Sequence, residues 1–84
     1  MYIISKTKPE SVDIKYLGLN DDNTTDYVEI TFNENINQTS NGNYEYNKYS
    51  IIKSSQNIND LNDQDELNNL LNEAKEIESD NKSN

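Results

Sequence analysis

The sequence predicts an α+β fold: a three-stranded antiparallel β-meander with one C-terminal amphipathic α-helix packed on one face. Three observations predict it. Apolar and polar residues alternate from Val12 and again from Val28, the period of a strand with one covered face. Asn41-Gly42 lies between two strand-like runs, where a tight hairpin needs residues that accept positive φ. From Leu67 the apolar spacing changes to Leu67, Leu70, Leu71, Ala74 and Ile77, the i, i+3, i+4, i+7 period of a helix.

The first strand is expected over 12–19, with Val12, Ile14 and Tyr16 opposed to Asp13 and Lys15. Met1 to Ser5 is a short apolar stretch that reads as at most an edge strand, broken by Pro9, and it is left out of the meander. Gly18 and Asn20-Asp21-Asp22-Asn23 supply turn chemistry. The second strand, over 26–33, sets Val28, Ile30 and Phe32 on one face and Tyr27, Glu29 and Thr31 on the other. The third covers 43–53. With Asn41-Gly42 as a two-residue loop, Ser40 pairs with Asn43, Phe32 with Ile51 and Glu34 with Tyr49. Tyr44, Tyr46 and Ile52 then point away from Phe32. Either both faces of this ribbon are contacted or a bulge shifts the phase.

The helix is expected over 63–78, with Asp63 as N-cap and Glu66 at the capping-box position. Asp65 and Glu66 in its first turn suit the helix dipole. Leu67, Leu70, Ala74 and Ile77 also fit a heptad spacing, so a helix that leaves the sheet to pack on a partner is the alternative. Together these elements make a single domain over 1–79 with a disordered tail over 80–84.

Composition narrows the function. A chain of 84 residues that is 31% hydrophobic and carries a net charge of −9 sits near the border of what folds, and its stability should be marginal. Cysteine and histidine are both absent, which removes disulfides, thiolate sites and the commonest general base and metal ligand. Gly18 and Gly42 are isolated, so no glycine-rich phosphate loop forms. Asp21-Asp22-Asn23 opens like a calcium loop, but Asp26 stands where glycine is required and Phe32 where a bidentate glutamate is required. Neither an enzyme nor a cofactor or metal protein is expected. A chain at −9 with seven lysines and no arginine is repelled by phosphate, so direct nucleic-acid binding is disfavoured. With no secretion signal, lipidation signal or long apolar run, the expected location is the cytoplasm and no membrane partner is implied.

Two candidate contact surfaces remain. At about 100° per residue, Asp65, Glu66, Glu73, Glu76 and Asp80 fall on one side of the helix within about 100°, roughly opposite the apolar stripe. These carboxylates span about 22 Å at about 1.5 Å per residue, one charge per roughly 4–5 Å. That is sparser than duplex DNA, at about one per 1.7 Å, but enough to meet a basic cleft. The bland reading is a solvated face that keeps a small core in solution. The second surface is aromatic: Tyr44 and Tyr46, with Tyr27, can share the sheet face away from the helix and act as contact anchors, although tyrosines are also ordinary strand formers.

Three stretches carry a resemblance: Ile14-Lys15-Tyr16-Leu17-Gly18, then Tyr27-Val28-Glu29-Ile30-Thr31-Phe32, then Tyr44-Glu45-Tyr46-Asn47-Lys48-Tyr49, followed by a short acidic helix. In these the chain resembles small acidic proteins encoded by phages and prophages of low-GC bacteria. It is similar in style to anti-CRISPR proteins, some of which place acidic surfaces in the nucleic-acid cleft of a CRISPR nuclease, and equally to short proteins of phage tail modules. The resemblance implies an acidic, DNA-mimicking inhibitor of a basic nucleic-acid-handling partner such as a CRISPR effector. The alternative is a structural or accessory tail protein that works through sheet or tyrosine contacts.

Overall fold

A computed structural model describes residues 2–82, with side chains as far as Ser79. It shows a small α+β structure with an antiparallel sheet and one C-terminal helix. The sheet has four strands, not the three of the expected meander: β1 (Tyr2–Ser5), β2 (Val12–Leu19), β3 (Thr25–Gln38) and β4 (Tyr44–Ser54), in the order β1-β4-β3-β2. A turn of 3-10 helix (Asp60–Asn62) leads into α1 (Gln64–Lys82). The added strand is the stretch before Pro9. It pairs with β4 from Tyr2↔Asn47 to Ser5↔Tyr44, too few residues to carry a clear alternation of its own.

The two hairpin loops share one design. Asn20 and Thr39 each donate a backbone N–H across a three-residue loop: Asn20 N to Thr24 O at 2.8 Å, and Thr39 N to Asn43 O at 2.7 Å. In each loop the third residue has positive φ, Asn23 at 66° and Gly42 at 84°, and its N–H donates back to Asn20 O or Thr39 O. This is a type I turn closed by a left-handed residue, which asparagine and glycine accept most cheaply.

The expected register of β3 on β4 is therefore corrected. The loop holds Ser40, Asn41 and Gly42 rather than two residues, so Gln38 pairs with Tyr44. A bulge between Glu34 and Asn37, with Asn35 at φ 61°, shifts the pairing by one more residue. Phe32 consequently meets Tyr49, Glu34 meets Asn47 and Ile30 meets Ile51. Two single-residue shifts restore the face parity, so Val28, Ile30, Phe32 and Ile51 still share the buried side.

The helix covers that side, packing chiefly on β4. Leu70 and Ala74 are buried with the sheet residues, and Leu61, from the 3-10 turn, closes the same cluster. Asp63 caps the helix: its Oδ1 accepts from Asp65 N at 2.9 Å and its carbonyl from Leu67 N at 3.0 Å. The reciprocal half of the capping box has no free donor, because Asp63 N already donates to Asp60 O.

Candidate interaction surfaces

The acidic helix face is divided by its own packing. Glu73 flanks the buried stripe, about 60° from Leu70 on a helical wheel, and meets Lys53 of β4 at 3.1 Å. On the opposite flank Lys75 reaches Glu34 of β3 at 2.8 Å and lies 5.8 Å from the Tyr49 ring centroid. The Glu34 carboxylate, first by its hydrogen bond, holds the Lys75 ammonium above its ordinary pKa. One sheet lysine to a helix acid and one helix lysine to a sheet acid thus straddle the apolar stripe. Glu73 is spent on docking the helix. Glu66 is half-buried, Asp65 and Glu76 are exposed, and the side chain of Asp80 lies outside the described residues. The five expected carboxylates do not form one free surface.

The tyrosines are divided too. β4 runs without irregularity, so Tyr44, Tyr46 and Ile52 face away from Ile51 and from the helix. Tyr44 and Tyr46 lie half-buried at one end of that open face, opposite Ser5 and Ile3 of β1. Tyr27 lies at the other end, opposite Ser54, some eight residues along β4 from Tyr46, or roughly 27 Å at about 3.4 Å per residue. The three rings share a face but not a cluster.

Around Tyr27 the sheet assembles a group that the alternation had marked only for half of its members. Leu17 pairs directly with Tyr27 and Leu19 with Thr25, while Ile52 pairs with Glu29, diagonal to Tyr27. Leu17, Leu19, Tyr27 and Ile52 are exposed by 42%, 58%, 54% and 64%. The signal was present: Leu17 and Leu19 keep step with Asp13 and Lys15 rather than with Ile14, and an Ile51-Ile52 pair puts one isoleucine on each side of a strand. Between the two ends the face is polar, with Thr31 and Ser50 hydroxyls 3.4 Å apart.

A notch of about 180 Å³ lies on the helix side, lined by Val12, Phe32, Leu67 and Leu71 and rimmed by Asn33, Glu34 and Asn68. Its walls belong to the core, and no ionisable pair converges in it. The Asp22 carboxylate accepts at Oδ1 from the hydroxyl and the backbone N–H of Thr24, which hold the acid below its ordinary pKa. No helix among the described residues is long and apolar enough to cross a membrane. Comparison with protein-family models, with curated proteins and with solved structures returned no match.

Proposed function

We propose that this chain is a non-enzymatic binding protein that docks a partner protein on the open face of its sheet. The observation that carries the reading is the exposed group Leu17, Leu19, Tyr27 and Ile52 on the side the helix leaves uncovered. An antiparallel sheet can leave one face to water at little cost when that face is polar. Here one end of it is apolar, as at protein contact sites. The net charge of −9 favours a partner with a basic surface, by drawing it in from a distance.

Magnitudes set the limits of this surface. Fully burying such a side chain stabilises by about 1.5–3 kcal/mol, so four that are half exposed supply roughly 3–6 kcal/mol. Association costs about 4–15 kcal/mol in lost freedom. The apolar group must therefore act together with charge or backbone contacts. The role that fits is the alternative to the inhibitor that the sequence resemblance implies: an accessory or structural phage-type protein.

A second reading keeps the acidic inhibitor, an anti-CRISPR-like DNA mimic that fills a basic nucleic-acid cleft. The exposed Asp65 and Glu76 favour it, together with the overall charge. Capture of partners from a bacterial lysate separates the two. Leu17→Ser with Ile52→Ser should release a partner that the wild-type chain holds. Asp65→Lys with Glu76→Lys should leave that partner bound. The reverse pattern, with the partner released by the helix changes and kept by the sheet changes, would refute the open-face reading in favour of the inhibitor.

A further inference from the structure

We propose that the outer edge of β4 over Tyr49–Ser54 is a vacant strand position that accepts an extended, lysine-rich segment of a partner protein. The inference rests on the open-face reading and names the backbone contact which that reading still needs.

Strand β1 pairs with only four residues of β4, Tyr44 to Asn47. β4 continues to Ser54, and from Tyr49 onward its sole strand neighbour among the described residues is β3. Past Ser54 the chain stays in the same lane on the β3 side, with Ser55 N bonded to Asp26 O at 3.0 Å and Thr25 N to Gln56 O at 2.8 Å. Nothing there turns back over the outer edge. Among the described residues, no strand pairs with the outer side of this β-prone run, which has no proline and no bulge. The one charge in that run, Lys53, is drawn to Glu73 and does not guard the edge.

The side chains around this edge fit a missing strand. Ile52 projects from it on the open face. On the other face, Ile77 lies about 20° from Leu70 on the helix and belongs to the stripe that buries Leu70 and Ala74, yet it is 44% exposed. The helix passes over β4. A strand added beside Tyr49–Ser54 brings apolar side chains to Ile52 on one face and Ile77 on the other. Charge decides the occupant. A second copy would set −9 against −9, whereas a basic segment is attracted.

The test uses the whole chain and a synthetic peptide, Lys-Lys-Val-Thr-Ile-Val-Lys-Lys, followed by NMR. The peptide should slow amide exchange within residues 49–54 and shift the methyl signals of Ile52 and Ile77. Backbone N-methylation on the peptide's bonding edge should weaken binding by roughly tenfold or more. Ile52→Lys, at an exposed position and with the melting temperature checked against wild type, should weaken it by roughly five- to tenfold. Binding that shifts Leu17, Leu19 and Tyr27 without protecting 49–54 overturns strand addition and leaves the open-face reading standing. Shifts confined to Asp65, Glu66 and Glu76 overturn both. Absence of binding at low salt overturns the strand position alone, since lysate capture by Leu17 and Ile52 is read independently. Self-association through 49–54 in place of peptide binding overturns the basic occupant.

Discussion

Leu70→Ala asks whether the helix is seated on the sheet by one narrow stripe. Leu70 is buried against Ile30, Phe32 and Ile51 within a single cluster. Truncating a core leucine costs about 2–5 kcal/mol through lost transfer and a residual cavity. At about 0.05–0.15 kcal/mol per residue, a chain of this length has roughly 4–13 kcal/mol in all, and a small polar one sits low in that range. The substitution should therefore remove about half of the stability or more. Alanine is the better helix former, so any loss reports packing and not helix propensity. Ile77→Ala is the internal control: on the same stripe but 44% exposed, it should cost about 1 kcal/mol or less. Urea denaturation followed by far-ultraviolet circular dichroism measures both. Equal and small losses at the two positions would refute the docked geometry and return the helix to the detached, partner-seeking alternative.

Further outcomes follow from the local geometry. Lys53→Met should cost below about 1 kcal/mol, because the side chains of its pair with Glu73 are 32% and 45% exposed, and the difference from wild type should shrink in high salt when melting is compared. Acid titration by NMR should find Asp22 protonating below its ordinary value, through its bonds from Thr24, and Glu10 above, through its hydrogen bond with Asp13 and then their mutual repulsion. The signs are opposite: stability from Asp22 is present above its unfolded pKa and lost as pH falls through the folded one, whereas that from Glu10 is present in acid and lost as pH rises through its folded pKa. Thr24→Val should move the Asp22 midpoint upward and leave that of Glu10 in place. Gly18→Ala should destabilise more than Gly42→Ala in thermal melts. Both have positive φ, at a cost of about 1–2 kcal/mol, but a Cβ at Gly18 runs into the Asp26 side chain while Gly42 faces open space.

The helix, its Asp63 cap and three strands were legible because each carries its own period. Leu67, Leu70, Leu71 and Ala74 can only be helical in that spacing, and Val28, Ile30 and Phe32 only extended. What escaped the sequence depends on pairings between distant segments. The four residues of β1 gain strand identity from β4, not from themselves. The β3–β4 register turned on whether the hairpin loop holds two residues or three and on a left-handed Asn35, neither of which an asparagine-rich run declares. Leu61 reads as one leucine among polar residues until the 3-10 turn delivers it to the core. The acidic face was visible on a wheel, but the loss of Glu73 to Lys53 needed the helix placed over β4. The apolar end of the open face joins residues of three strands, so no single window of sequence displays it.

The central claim, that the open face of the sheet is the binding surface, is tested most directly by an amide chemical-shift footprint of the whole chain against a captured partner. The account predicts that the perturbed signals gather at Leu17, Leu19, Tyr27 and Ile52, with the outward helix positions Asp65 and Glu76 unmoved. A footprint centred on those two carboxylates, with the open face silent, would contradict it.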